Sequence, residues 1–283
     1  MTPRTRRTLS LVLLVLALLA ALGLAAVVSQ RQALLRGTLD GLPKMSLPPR
    51  VPVLGVNADL TQYDDAALAE NLDLIAGVGF VWVRQPFRWA EIELEPGRFE
   101  WAAYDRVVEE AAARDLRLVA VLVDSPGWAA DAPTAPPDDL DAFASFAATL
   151  SERYGETIDV YQVWDEPNLS SGWGGREPSP VRYAALLQAA YEAIHAVDAD
   201  ALVLTAGLAP TVERGPENLS DVLFLRELYA NGAAPFFDGV AGKPYGFDDG
   251  PLERRTHENV LNFSRLVLLR EVMVEHGDAG KPL

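Results

Sequence analysis

The sequence predicts an α/β fold, a (β/α)8 TIM barrel truncated after about six βα units at the start of strand 7 and preceded by an N-terminal transmembrane helix. Three observations carry this prediction. Strand-like and helix-like segments alternate from Val51 onwards, no Gly-rich phosphate loop follows the first strand, and no G-x-G-x-x-G opens a helix. A barrel is therefore favoured over a doubly wound, dinucleotide-binding sheet.

The N-terminal helix is predicted from the run Leu9–Val28, which is almost entirely Leu, Ala and Val. About 20 apolar residues span a bilayer, and the arginines before the run should stay in the cytoplasm. An uncleaved signal anchor fits a run longer than the roughly 7–15 residues of a signal peptide core. A cleaved signal peptide stays open, because Val27 and Ser29 are small. We expect a cell-membrane protein with an extracytoplasmic domain, or a secreted protein if cleavage occurs.

Composition divides the chain into three predicted regions. Residues 1–29 are the signal anchor or signal peptide, 30–50 are a Gly- and Pro-containing linker, and 51–283 are the barrel domain. The net charge is −16 for the chain, +6 for residues 1–50 and −22 for the barrel domain. Such an acidic domain disfavours nucleic acid and leaves neutral sugars open as ligands. The chain has no cysteine and three histidines, so we predict no thiol chemistry, no metal site and no cofactor.

Each barrel element is predicted from its own pattern. Nearly continuous apolar runs such as Leu116–Val123 indicate parallel strands covered on both faces, and apolar positions repeating on one face, as in Leu186–Ile194, indicate helices. The strand candidates are 51–56, 80–85, 117–123, 158–164, 201–206 and 236–241. The helix candidates are 66–77, 101–114, 138–153, 180–197, 217–231 and 255–275.

The fourth strand candidate ends in two adjacent acids. Asp165 and Glu166 follow an apolar run, and Pro167 then stops the strand because it cannot donate to a ladder. Glu166 should therefore lie at the C-terminal mouth of the barrel, where barrel enzymes build their sites. We expect Trp164, Trp128 and Trp173 to shield this carboxyl from water, which suits a general acid. The alternative is an exposed acid in a turn.

The segment Trp164–Asn168 reads Trp-Asp-Glu-Pro-Asn and resembles the Trp-Asn-Glu-Pro-Asn signature of clan A retaining glycoside hydrolases, such as families 5 and 39. The resemblance extends over most of residues 51–283. Further matches in the same order are Gly79–Arg84, Trp89–Glu93, Pro96–Trp101, Tyr104–Asp105, Ser125–Trp128 and Asp238–Tyr245.

This resemblance implies hydrolysis of O-glycosidic bonds in a β-linked poly- or oligosaccharide by double displacement. Glu166 would be the general acid/base, and a second carboxylate on the seventh strand, about 5–5.5 Å away, would be the nucleophile. In the family this Glu follows a segment like Lys281–Leu283, so we expect it beyond Leu283 and expect the barrel to be C-terminally incomplete. The chain departs from the family at Asp165, where the family has Asn, and at Lys243, where it often has His.

Six further residues are candidates for substrate binding. Arg84 ends the second strand and would lower the pKa of the nucleophile, or else form a structural ion pair with an acid such as Asp59. Asp165 can only accept hydrogen bonds from a sugar when it is ionised. Tyr245 would bond the sugar or pack, and Asp124 would contact a hydroxyl or cap a turn. Trp128 and Trp173 would stack on sugar rings or pack loops.

Two other functions stay open at this stage. A membrane-tethered, non-catalytic carbohydrate-binding protein would explain Asp165, Lys243 and the missing second carboxylate. A metal-dependent barrel hydrolase is weaker for lack of histidine ligands.

Overall fold

The computed structural model describes residues 3–35 and 54–283. Helix α1, Pro3–Leu35, contains a span, Thr5–Gln32, with a mean hydropathy of 3.1 and no buried side chains. By length and composition it could cross a membrane, and a signal sequence passes the same test. Most of the predicted linker, and residues 51–53 of the first strand candidate, lie outside the described residues.

The elements after the linker alternate as predicted for an α/β fold. In chain order they are β1 Gly55–Asn57, α2 Asp65–Gly77, β2 Trp82–Arg88, α3 Trp89–Ile92, β3 Glu93–Glu95, β4 Arg98–Phe99, α4 Ala102–Ala112, β5 Arg117–Val123, α5 Leu140–Tyr154, β6 Val160–Val163, α6 Pro180–Val197, β7 Leu202–Leu204, α7 Asp221–Ala230 and α8 Leu266–Glu275. Short 3₁₀ turns lie at Leu60–Gln62, Ser171–Trp173, Ala234–Phe236 and Phe263–Arg265.

The main sheet is parallel and has the order β1-β2-β5-β6-β7. Each strand therefore adds beside its predecessor along the chain, as in a barrel wall. Strands β3 and β4 form a separate antiparallel hairpin. Because all five strands of the main sheet run the same way, their C-terminal ends meet at one edge.

The sixth strand candidate, 236–241, does not form a regular strand. Ala234–Phe236 is a 3₁₀ turn, and only the isolated bridges Leu204↔Gly239 and Leu208↔Gly242 follow. The chain still runs beside β7, because Thr205 N–H donates to Gly239 O at 3.1 Å. Val240 N–H donates to Pro282 O at 3.0 Å, which places the C-terminal segment on the far side.

The helices begin where capping residues satisfy their first N–H groups. Asp64 accepts from Ala67 N–H at 2.9 Å, and Ser179 accepts from Arg182 N–H at 3.3 Å. The predicted helices 217–231 and 255–275 begin too early, since α7 starts at Asp221 and α8 at Leu266. Side-chain hydrogen bonds hold residues 255–265 as a loop instead: Asn262 donates to Arg255 O at 2.9 Å.

The core lies between the sheet and the helices on its outer face. Helix α5 buries Phe143, Phe146 and Leu150 against it. On α6, the buried Tyr183 hydroxyl donates to Val163 O at 3.0 Å and accepts from Ala206 N–H at 2.5 Å. This hydroxyl ties α6 to the C-terminal ends of β6 and β7, so the core directly supports the edge where the candidate site lies.

Candidate active site

The backbone bends sharply where the chain leaves β6. Trp164 has φ +70° and Glu166 has φ +50°, a region that L-residues rarely occupy. Trp164 N–H donates to Leu122 O at 2.9 Å, and Glu166 N–H donates to Gly207 O at 3.2 Å. The two neighbouring strand ends therefore hold the bend in place, and strain held in this way is common at functional sites.

Two residues support this bend from below. Asn168 is fully buried, donates to Ala209 O at 2.8 Å and Leu219 O at 2.9 Å, and accepts from Ala209 N–H at 2.9 Å. Gly172 lies so close that a Cβ there would stand 2.3 Å from Glu166 O. The last residue of the Trp-Asp-Glu-Pro-Asn motif and the following turn are thus structural supports for Glu166.

A cavity of about 320 Å³ opens over these strand ends. Its size falls in the range of small-molecule sites. Its charged lining residues come from β2 and from the segments that follow β5 and β6, and are Arg84, Arg88, Asp124, Asp165 and Glu166. The other lining residues are Pro86, Val121, Val123, Thr134, Trp164, Ser171 and Gly172.

Arg84 pairs with Asp165 across the cavity floor. Its Nη2 lies 2.8 Å from Asp165 Oδ1, its Nε donates to Gln162 Oε1 at 3.0 Å, and its Nη1 donates to Asn57 Oδ1 at 3.0 Å. The structural ion pair with Asp59 does not form, since Asp59 pairs with Arg88 instead. Arg84 therefore belongs to the same cluster as the strand-end acids.

Lys243 joins this cluster from the segment after β7. Its Nζ lies 2.6 Å from Glu166 Oε1 and 3.0 Å from Asp165 Oδ1. The lysine side chain is 15% exposed, whereas those of Asp165 and Glu166 are 33% and 31% exposed. The sequence marked Lys243 as a departure from the family but gave no sign of this contact.

A second ion-pair group flanks the cavity on the β2 and β5 side. Arg88 lies 2.8 Å from Asp59 Oδ2 and 3.2 Å from Asp124 Oδ2. Burial raises the pKa of Asp124, and the charges of Glu91 and Asp165 add to the rise against the opposing effect of Arg88. For Asp59, burial alone would raise the pKa, but hydrogen bonds from Thr61 and Arg88 hold it below its ordinary value.

Sequence reasoning missed Arg88, although a signal was present. Side chains two apart along a strand share a face, so Arg84, Pro86 and Arg88 of β2 all point to the cavity. Reading this alternation from Arg84 would have identified Arg88.

The aromatic candidates do not surround Glu166 as expected. Trp164 lines the cavity, but Trp173 is 1% exposed and packs edge-on against Trp164 and Tyr183, so it offers no ring face to a ligand. Trp128 is 36% exposed and lines a separate groove with Asp138.

Tyr245 is half exposed and lies next to Phe247, with their ring centroids 6.3 Å apart. It is linked to the cluster through its N–H, which donates to Lys243 O at 3.0 Å. Over residues 3–35 and 54–283, no three His, Asp or Glu side chains stand together in a way that would hold a metal ion.

No family model matches this sequence, and no curated protein matches it. Solved structures of glycoside hydrolases do resemble its fold. A family 39 glycoside hydrolase from the gut symbiont Bacteroides cellulosilyticus matches with a TM-score of 0.56 and 20% identity, over 70% of this chain and 39% of that one. A glucosidase from Croceicoccus marinus matches with a TM-score of 0.55 and 15% identity, over 74% of this chain and 46% of that one.

A β-galactosidase from the psychrophilic Marinomonas ef1 matches with a TM-score of 0.51 and 13% identity, over 68% of this chain and 40% of that one. This chain thus spans less than half the length of each of these three proteins. At these identities the likeness establishes a shared fold with these glycoside hydrolases.

Proposed function

We propose that the protein hydrolyses O-glycosidic bonds in a β-linked poly- or oligosaccharide by a retaining mechanism. The observation that carries this proposal is the position of Glu166, which follows the end of β6 and lines a cavity together with Arg84, Asp124 and Asp165. Barrel enzymes build their active sites at the C-terminal ends of the strands, and glycoside hydrolases use carboxyl groups for catalysis. The shared fold with glycoside hydrolases supports the same reaction class.

In this mechanism Glu166 acts twice. Its protonated carboxyl gives a proton to the glycosidic oxygen while the bond from the anomeric carbon to that oxygen breaks and its electron pair stays on the oxygen. A second carboxylate, which the family resemblance puts after Lys281–Leu283, bonds to the anomeric carbon. Glu166, now ionised, then takes a proton from the water molecule whose oxygen displaces that carboxylate. The sugar is released with its original anomeric configuration.

The other candidates take binding roles in this proposal. Asp165 accepts from a sugar hydroxyl while Arg84 holds its carboxylate in place. Asp124 faces the same cavity and pairs with Arg88, so its carboxylate can accept a hydrogen bond from a sugar hydroxyl. The exposed rings of Trp128 and Tyr245 contact sugar units outside the central cavity.

We further propose that α1 places this reaction outside the cytoplasm. Its span Thr5–Gln32 is apolar enough to anchor the protein or to act as a signal sequence. The basic residues before it favour a cytoplasmic N-terminus. Sequencing of the mature N-terminus separates the two cases: a start near Gln30 indicates cleavage.

Glu166→Gln in the full-length gene product is the direct test. A glutamine keeps the shape but cannot donate the proton, so hydrolysis of alkyl β-glycosides should fall about 10²–10⁴-fold. Dinitrophenyl glycosides need no acid for departure of the leaving group, so their first step should be far less affected. Proton NMR of the initial product should show retained configuration in the wild type.

Glu109→Gln is a matched control, because Glu109 is exposed on α4 and removal of its charge should leave hydrolysis unchanged. Equal activity of the Glu166 and Glu109 variants across a β-glycoside panel would contradict the proposal.

A second candidate function is carbohydrate binding without catalysis. The contact of Lys243 with Glu166 at 2.6 Å favours it, because an ammonium group stabilises the ionised carboxylate and opposes proton donation. Glycan binding in calorimetry, with no turnover of any β-glycoside by the full-length protein, would support this alternative.

A further inference from the structure

Lys243 reaches Glu166 through a space that the fold keeps open. A Cβ on Gly207 would lie 2.9 Å from Lys243 Cε and 3.3 Å from Asp165 Oδ1. Contacts under 3.0 Å are essentially not tolerated, so any larger residue at position 207 would push the lysine stem aside. The glycine therefore lets the lysine cross the end of β7 to the acids of β6.

The segment that carries Lys243 is itself fixed. Ala241 N–H donates to Thr205 Oγ1 at 3.1 Å, and Gly242 forms a bridge with Leu208. With its backbone held by these contacts and room for its stem beside Gly207, the lysine places its ammonium group against both acids. The contact with Glu166 is thus built into three neighbouring segments of the barrel mouth.

The ammonium group acts unequally on the two halves of a retaining reaction. At 2.6 Å from Glu166 Oε1 it attracts the ionised carboxylate and gains nothing comparable from the protonated one. It therefore favours the half in which Glu166 takes a proton from water. It opposes the half in which Glu166 must first carry a proton and then give it to the glycosidic oxygen. The same ammonium group also contacts Asp165 Oδ1 at 3.0 Å.

We propose that Lys243 is a positioning residue whose ammonium group favours Glu166 as a proton acceptor and opposes it as a proton donor. This inference rests on the proposed glycosidase function. It predicts that hydrolysis depends steeply on the leaving group. Lys243 should lower kcat/KM for substrates whose leaving group must be protonated, and should leave kcat/KM unchanged for substrates whose leaving group departs without a proton.

The experiment compares kcat/KM for an alkyl and a 2,4-dinitrophenyl β-glycoside of the same sugar, with the full-length gene product. In Lys243→Met the ratio of alkyl to dinitrophenyl kcat/KM should rise about tenfold, inside the about 10²–10⁴-fold that a general acid contributes. Gly207→Ala, which displaces the lysine without removing it, should raise the ratio less. Lys243→Arg, which keeps the charge, should stay near the wild-type ratio.

A merely structural role for Lys243 would lower both kcat/KM values in parallel, and an unchanged or reduced ratio in Lys243→Met would overturn the proposal. Arg226→Met removes a cation from an exposed pair with Glu275, away from the cavity, and should leave the ratio unchanged. If the wild type hydrolyses neither substrate, the glycosidase function itself is contradicted, and this inference with it. Turnover by the wild type with parallel losses in the variant contradicts only the role of Lys243.

Discussion

Two groups of charged side chains in this protein use the same chemistry for different ends. The mouth cluster comprises Arg84, Asp165, Glu166 and Lys243, whose side chains are 15–33% exposed. The buried clamp is the pair Arg265–Asp221, both 2% exposed, which joins the turn before α8 to the first residue of α7. Both contain short contacts between cation and carboxylate, so distance alone does not distinguish them.

The groups differ in how their hydrogen-bonding capacity is used. Arg265 donates to both oxygens of Asp221 and to the carbonyls of Thr211, Glu258 and Val260. Protein atoms thus saturate the clamp, as a buried charge requires. In the mouth cluster, Asp165 and Glu166 line an open cavity, and Lys243 is shared between them. A saturated and buried ion pair indicates a structural role, and a shared, open one indicates a site.

The largest expected effect on stability comes from breaking the clamp. Asp221→Ala leaves the Arg265 charge buried without its carboxylate, which should lower the free energy of unfolding by about 3–5 kcal/mol. Urea denaturation measures the change. Arg214→Met is the control, because it removes an ion pair with Glu258 that is exposed on both sides and should cost less than about 1 kcal/mol. If both variants lost the same free energy of unfolding, burial would not distinguish the structural ion pair from an exposed one.

The second largest effect is expected from a substitution that disturbs the mouth cluster without changing the buried clamp. Gly172→Ala places a Cβ 2.3 Å from Glu166 O, so the strained backbone of Glu166 must move. We expect a loss of stability of about 1–3 kcal/mol and a larger loss of hydrolysis, because Glu166 is displaced from the cavity.

Gly127→Ala is the matched control for this substitution. Its Cβ would meet nothing within 4 Å, so the change in unfolding free energy should stay within about 0.5 kcal/mol. Hydrolysis by the Gly172 variant at the level of this control would show that the position of Glu166 is not set by Gly172.

Sequence patterns predicted the fold better than the contacts within the site. Apolar runs identified β5 and β6, because most of their residues are buried on both faces of the sheet and leave a nearly continuous signature. The amphipathic pattern predicted a helix from 255, but side-chain hydrogen bonds such as those of Arg265 to Glu258 O and Val260 O hold the segment before Phe263 as a loop. Those bonds depend on tertiary placement, which propensity does not encode.

For the site, the sequence predicted which residues lie near the ends of strands, but it did not predict which side chains they contact. Glu166 follows the end of β6 as the sequence predicted, whereas Arg84, predicted to end the second strand, is the third residue of β2, which continues to Arg88. The partner of Glu166 is 77 positions away in the chain, so no local pattern could reveal it. Trp173 illustrates the same limit, because the sequence locates it beside the motif but does not tell that its ring faces the core. The catalytic and binding roles themselves remain predictions.

The smallest effect tests whether partial exposure alone marks a functional group of charges. Asp105 on α4 is 29% exposed, as the mouth acids are about a third exposed, yet Arg153 and Tyr154 saturate it: Arg153 Nε lies 2.7 Å and the Tyr154 hydroxyl 2.7 Å from Oδ1. The hydrogen bond from Arg153, with that from Tyr154, holds the pKa of Asp105 below its ordinary value despite burial. Its stabilising effect is therefore present above the unfolded pKa of about 3.9 and is lost as pH falls through the lower folded value.

Asp105→Asn should then lower the unfolding free energy by about 1 kcal/mol or less near neutral pH, since the pair is partly exposed and screened. The difference from the wild type should shrink as pH falls below about 3.9, because the unfolded wild type then takes up a proton that the folded protein takes up only at lower pH. Urea denaturation at about pH 6 and pH 3 measures it, and hydrolysis should not change. A difference that persists in acid would mean that Asp105 stabilises by packing. A loss of hydrolysis would mean that a full set of hydrogen bonds to protein atoms does not distinguish structural charged groups from those of the site.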